Sequence, residues 1–417
     1  MKLLRTNSPA ARAALAALTD RRNAAYERVL PGARRIVEAV RRGGDPALLR
    51  LRARLDGIPS QAPLRIPEIE LRVAWESTPA ETRQALKTAA RNIRAFAARQ
   101  LPRDFDWKPA PGVTTGQRVV PIASAGCYIP SGRHPLPSTL LMTVIPAQVA
   151  GVQRIVAVSP HPAKETLAAA AMLGVTEFYR VGGAHAIAAL AYGTASIPRV
   201  DKIVGPGNAW VTAAKKLVAF DCSIDMLAGP TEILVASESG DPACIAADLV
   251  AQAEHDPDAV AIFITTRTEL ARSVITETRR RAAGNKIAAA ALAKNGLALV
   301  AGSPDEVHAL VNRIAPEHLT VDSATDLAWV RNAGSVFVGR WSAQPLGDYV
   351  SGPNHTLPTS GLARARGGLS VLDFVRLMTV QEYTQAGVRQ LGPAAIRLAN
   401  AEGLTGHAEA IRERGDQ

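Results

Sequence analysis

From Gln117 onward the chain alternates short apolar runs with Ala-rich helical runs, and this rhythm restricts the fold more than any other feature. Strands are expected at 154–158, 177–181 and 202–204, with helices at 164–173, 184–192 and 208–218 between and after them. The pattern resumes after Thr231: strand 232–236, helix 242–255, strand 259–265, helix 268–282, strand 298–300 and, later, strand 335–338. Parallel neighbours need a long crossover, which an amphipathic helix supplies, so each set predicts a parallel sheet. Two such units make an α/β protein. Residues 1–105 read as helical with stops at Gly43-Gly44 and Gly57, and the chain is expected to turn helical again from about Gly367 to its end.

A chain of 417 residues, 47% of them hydrophobic, can bury more than one core. The cysteines, Cys127, Cys222 and Cys244, are odd in number and lack any CxxC spacing, which fits a reduced, cytoplasmic setting. Cys127 is read as buried packing and carries no chemistry. The Ala/Leu stretch near the start is broken by Arg12, Asp20, Arg21 and Arg22, so no signal peptide is expected. No apolar run approaches the roughly 20 residues that cross a bilayer, so no membrane role is expected. The net charge of +11 raises nucleic acid as a partner. Arg34-Arg35 and Arg41-Arg42, however, share a helix whose other face is Ile36, Val37 and Val40, the pattern of a solvated surface. With 4% aromatics there is also little to stack on bases, so nucleic acid is not expected. Positive potential suits an anionic dinucleotide instead.

Four distant stretches place a histidine beside a carboxylate or amide: Gln252-Ala-Glu-His255, Pro316-Glu-His-Leu319, the segment from Asp348 to His355, and the segment from Glu402 to His407. Gln252 and His255 are three apart at the end of an amphipathic run, where both can face one point. Asp348 and His355 sit among Gly, Pro and Ser, where the chain can bend to bring a carboxylate oxygen and an imidazole nitrogen together. Zinc accepts such mixed nitrogen and oxygen donors. A lone histidine is more often a core or surface residue than a ligand; the joint pattern is what points to a metal enzyme. For the nucleotide half there is no GxGxxG fingerprint. Gly182-Gly183 and Gly205-Pro-Gly207 each lie between a strand and a helix, where free N–H groups would admit a phosphate.

These stretches, together with Tyr128-Ile-Pro, Val181-Gly-Gly-Ala, the run from Asp201 to Asn208 and the run from Ile224 to Thr231, resemble the histidinol dehydrogenase family in order and nearly throughout the chain. The resemblance implies two incomplete Rossmann-like domains with parallel sheets plus small helical terminal segments. The expected division is an N-terminal arm at 1–20, a first domain of 21–125 with 232–366, a second, NAD-binding domain at 126–231, and a C-terminal segment at 367–417 exchanged within a homodimer. It further implies one zinc per subunit on Gln252, His255, Asp348 and His407, and NAD contacts at Tyr128, His185 and Asn208. Glu317 would activate water and His318 would act as general base. Thr231 and Glu402, with Gln252, His255, His318, Asp348 and His407, would contact the substrate, L-histidinol, which would be oxidised to histidine in two NAD-linked steps. Glu402 and His407 would serve the neighbouring subunit.

The chain departs from the family pattern at His185, where Gln is usual, at Thr231, where Ser is common, and at Ser131-Gly-Arg-His134, usually Gly-rich. Relatives on this scaffold oxidise other small alcohols, including sulfonated diols. From another class, a zinc hydrolase would use the same ligands and a Glu-activated water. It would have no need of the nucleotide turns. A non-catalytic binding module would leave the metal stretches unexplained.

Overall fold

The computed structural model describes residues 1–131 and 135–415, with only the backbone described for 19–25. The departure noted at Gly132, Arg133 and His134 lies outside the described residues.

Two parallel sheets organise the molecule. The larger has six strands in the order Lys2–Arg5, Leu297–Val300, Val260–Thr265, Glu232–Ala236, His318–Val321 and Ser335–Val338, all parallel. Its inner strands Glu232–Ala236 and Val260–Thr265 are buried along their whole length, which is why their sequences are almost unbroken apolar runs. The second sheet has five parallel strands: Glu177–Tyr179, Arg154–Val158, Ser124–Tyr128, Lys202–Val204 and Ser223–Ile224. Helices of 30–100, expected to belong with 232–366, instead make their main helix contacts with this five-stranded unit. Leu30–Leu55 packs on Gly183–Tyr192, Glu68–Ser77 on Lys164–Leu173, and Ala80–Gln100 on Pro137–Ala150. Leu30–Leu55 buries Ala33, Ile36, Val37 and Val40, the apolar stripe opposite its arginine pairs.

Two expectations are corrected and one holds. The helical run that begins at Leu30 does stop at Gly43-Gly44: Gly44 takes a non-helical φ of 50°, which favours glycine, and a second helical run follows the kink to Leu55. The first residues, expected helical, form the strand Lys2–Arg5 against Leu297–Val300. The C-terminal part, also expected helical, begins with the nine-residue strand Val375–Tyr383, antiparallel to Val113–Pro121 in a separate three-stranded sheet that includes Phe105–Ala110. Both strands are short of buried positions, so neither shows the in/out alternation that marks a strand in sequence. Two helices, Gln385–Ala401 and Thr405–Gly415, then pack on each other. Among the described residues no helix is long and apolar enough to cross a membrane.

Candidate active site

A cleft of about 520 Å³ opens where the two sheets meet. One wall comes from the N-terminal ends of the strands Glu232–Ala236 and His318–Val321, and the other from the turn that follows Lys202–Val204. Thr231, Gln252, His255, Glu317, His318, Asp348 and Asn208 all line it. Seven sequence-predicted site residues, spread from Asn208 to Asp348 along the chain, are thereby brought together.

Strand pairing sets the first cluster. His318 opens its strand in register with Ile233, which puts Glu317 and His318 beside Thr231 and Glu232. The Glu317 carboxylate is buried; its Oε2 accepts from the Thr231 hydroxyl at 2.6 Å and from the Glu232 N–H at 2.8 Å. Burial pushes this carboxyl above the usual range, although His318 and these two donors pull it back. The His318 Nδ1 lies 3.1 Å from the Glu232 carbonyl, which can only accept, so Nδ1 carries the proton. Nε2 is then the free lone pair of the neutral ring, and it is buried without a hydrogen-bond partner. Burial pushes the imidazole down, but Glu317 and Asp348, each 3.7 Å from a ring nitrogen, outweigh it and hold His318 above the ordinary histidine value. At 3.7 Å the Asp348 contact acts through charge and is too long for a hydrogen bond.

The second cluster surrounds Asp348. Gln252 is buried near the end of the helix Pro242–Ala253, and its amide nitrogen donates to Thr231 Oγ1 while Oε1 has no partner. The helix ends two residues before His255, earlier than expected, and a turn in which the His255 N–H meets the Gln252 carbonyl at 3.4 Å carries His255 to the cleft. Asp348 lies on the short helix Gln344–Tyr349, and its Oδ2 accepts from the Gln344 amide at 2.8 Å. Burial raises its carboxyl, but His318 and His355 more than offset this and hold it below the usual range. The bend from Asp348 to His355 does form, with a different contact from that expected: His355 Nδ1 meets the Asp348 backbone carbonyl at 2.9 Å, and Nε2 meets Thr139 Oγ1 at 3.2 Å. Burial lowers the His355 imidazole. His355 thus braces the Asp348 segment against the helix Pro137–Ala150.

On the cofactor side, Asn208 caps the helix Ala209–Val218, its Oδ1 accepting from the Trp210 and Val211 N–H groups. Its amide nitrogen takes no part in these bonds. The turn before it is pinned at Gly205, whose N–H donates to Asp225 at 2.8 Å and whose carbonyl accepts from Lys215 at 2.5 Å. Lys215 and Asp225 form a buried ion pair at 2.6 Å. Gly205 has φ of 112°, and a Cβ there would collide with the Tyr128 carbonyl, so only glycine fits. The other glycine turn does not offer free N–H groups as expected. The Gly182 N–H donates to Asp56 Oδ2 at 3.0 Å and the Gly183 N–H to the Tyr128 hydroxyl at 3.1 Å. His185 is fully buried with Nε2 2.9 Å from the same Asp56 oxygen. Tyr128 and His185 accordingly lie behind the cleft and do not line it.

Glu402 and His407 do not line the cleft either. They are exposed on the C-terminal arm, around the junction of its two helices. Among the described residues no three His, Cys, Asp or Glu side chains close on a common metal point. The donor set nonetheless fits zinc as far as one chain can supply it: an imidazole, a carboxylate and an amide oxygen left buried without a partner line one cleft. Sequence reasoning missed Asp56, Thr139, Gln344 and the Lys215–Asp225 pair. Gln344 could have been found, since it stands one helical turn before Asp348; the others join segments with no local signal.

Comparisons with known proteins give mutually consistent matches. A family model described as histidinol dehydrogenase matches residues 19–415. The chain is 46% identical over 396 residues to the histidinol dehydrogenase of Synechococcus sp., covering 91% of each chain. It is 42% identical over 426 aligned residues to that of Gluconobacter oxydans, covering 99% of each. Its fold is similar to the crystal structure of histidinol dehydrogenase from Elizabethkingia anophelis, with a TM-score of 0.89, 34% identity and coverage of 93% of this chain and 92% of that one.

Proposed function

Because the chain belongs to the histidinol dehydrogenase family, we propose that it oxidises L-histidinol to L-histidine through the aldehyde, with two NAD reduced per turnover and one water incorporated. The observation that supports this best is the pairing of two unsatisfied buried atoms in one cleft, His318 Nε2 and Gln252 Oε1, beside Asp348 and His255. One is a ring nitrogen able to take a proton, the other an oxygen able to ligate a cation.

Gln252, His255 and Asp348 would hold zinc, with His407 of a second subunit as the fourth ligand, and Asn208 with the Gly205 to Asn208 turn would receive NAD. When bound, zinc supplies a Lewis-acidic centre for the amino alcohol's nitrogen donors, and NAD supplies the acceptor for each hydride. The chain's own groups do the proton work. His318 Nε2 takes the hydroxyl proton of the alcohol, returns a proton to the carbonyl oxygen as water adds to the aldehyde, and takes the hydroxyl proton of the hydrated aldehyde in the second oxidation. Its charge when protonated is balanced by Glu317 and Asp348 on either side. Glu317 Oε2 is held by Thr231 and Glu232, which leaves Oε1 to take a proton from the water that adds to the aldehyde. Thr231 and, from the partner, Glu402 would meet the substrate's polar groups.

Tyr128 and His185 support the cofactor half from behind: the Tyr128 hydroxyl and Asp56 hold the Gly182-Gly183 turn, and Asp56 holds His185. Cytoplasmic placement is supported by three free cysteines, of which Cys127 is buried and its thiol pushed up to about 12. Incubating pure protein with histidinol and excess NAD tests the reading: two NADH per histidinol, without free aldehyde, is expected. One NADH with accumulating aldehyde would assign the chain to a simpler alcohol oxidation, and no NADH at all would favour hydrolysis.

A further inference from the structure

We propose that Thr231 is a positioning residue: its hydroxyl sets the orientation of the Gln252 amide and so turns a carbonyl oxygen, and not an NH₂, toward the metal position. The inference rests on the ligand assignment above and adds a role for a residue otherwise read as a substrate contact.

Proton bookkeeping carries it. Glu317 Oε2 gathers two donors, the Glu232 N–H at 2.8 Å and the Thr231 hydroxyl at 2.6 Å. A hydroxyl has one proton, so once Thr231 has given it to the carboxylate its oxygen can only accept. The Gln252 side chain ends on that oxygen, and only its amide nitrogen can donate there. Oε1 must therefore point the other way, where it is buried and has no partner. Turned over, the amide would set oxygen against oxygen at Thr231 and aim two N–H donors at a cation. An amide is the one ligand type here that needs such fixing, because its two ends differ in chemistry and hardly in shape. Threonine is well matched to this role, since branching at Cβ stiffens its χ1 and keeps the hydroxyl on the line from Glu317 to Gln252. Partners behind metal ligands commonly govern affinity in this way.

The test measures zinc affinity by chelator competition and the visible absorption of the cobalt-substituted protein. Thr231→Val, which keeps the shape and removes the hydroxyl, is expected to weaken zinc roughly 10- to 100-fold and to alter the cobalt spectrum, while Thr231→Ser stays close to the parent. In a Gln252→Glu background neither end of the side chain can donate to Thr231, so Thr231→Val should no longer weaken zinc and is expected to leave affinity unchanged or improve it. If Thr231→Val does not fold, Thr231→Ala measured against Thr231→Ser makes the same comparison. Thr231→Val with parental zinc affinity and cobalt spectrum, alongside loss of affinity in Gln252→Ala, would overturn the orienting role and leave the ligand assignment standing. Unchanged affinity in Gln252→Ala would instead overturn the ligand assignment, and this inference with it.

Discussion

His318 and Glu317 are adjacent in sequence but differ in what their free atoms can do, and this separates their mutants. If Nε2 of His318 is the base for both hydroxyl deprotonations, His318→Ala should depress both phases of NADH formation in a single turnover, each by about 10²- to 10⁴-fold. Glu317→Gln should spare the first phase and retard the second, because only the second needs water. Equal damage to both phases would mean that Glu317 acts mainly by holding His318. His185 gives a contrasting case, since its contact is with Asp56 and it does not reach the cleft. Gln at this position can still donate to Asp56, so His185→Gln should melt like the parent and keep turnover at saturating NAD. His185→Leu leaves the Asp56 carboxylate short of a buried donor and should lose about 1–3 kcal/mol of stability in denaturant titration.

The short helix Gln344–Tyr349 carries Asp348, and its first backbone N–H faces the Asp248 carboxyl on the helix Pro242–Ala253. Burial pushes the Asp248 carboxyl up to about 6. A folded value above the unfolded one, about 3.9, means that its contribution to stability is present below the unfolded value and is lost as pH rises through about 6. Asp248→Asn keeps an acceptor for Gln344 without the charge. It should therefore melt higher than the parent at pH 7.5, by a smaller margin at pH 5, and no higher once the pH falls below the unfolded value. Because Asp248 is partly solvated, the gain is discounted to about 1 kcal/mol or less, a shift of about 2 °C. Elements such as Glu232–Ala236 were legible because burial on both faces writes a continuous apolar run into the sequence. Lys2–Arg5 and Val375–Tyr383 were not, since their hydrogen bonds come from distant partners and their side chains stay largely in water. The site divides similarly. Gln252, His255, Glu317, His318 and Asp348 stand in recognisable stretches, whereas Asp56, 129 residues from His185, and Thr139, 216 residues from His355, leave no mark near the groups they hold.

At the scale of the whole molecule, the C-terminal arm carries Glu402 and His407 away from the cleft of its own chain and leaves Leu377, Met378, Leu398 and Leu404 exposed. If the arm completes a neighbour's site, His255→Ala and His407→Ala, each inactive alone, should regain activity when co-expressed, because a mixed dimer restores one intact site out of two. Absence of recovery in a purified mixed dimer would place each site within one chain. The six-stranded sheet beside the cleft has a different peculiarity: one of its edge strands, Lys2–Arg5, pairs with the much later Leu297–Val300. During synthesis at about 5–20 residues per second, this segment waits roughly 15–60 s after emerging before its partner exists. It is brief, and Lys2 and Arg5 bracket its two leucines, a charged flank of the kind that discourages pairing with the wrong strand. A strand made early thus depends on one made much later, and the charges that flank it suit the interval.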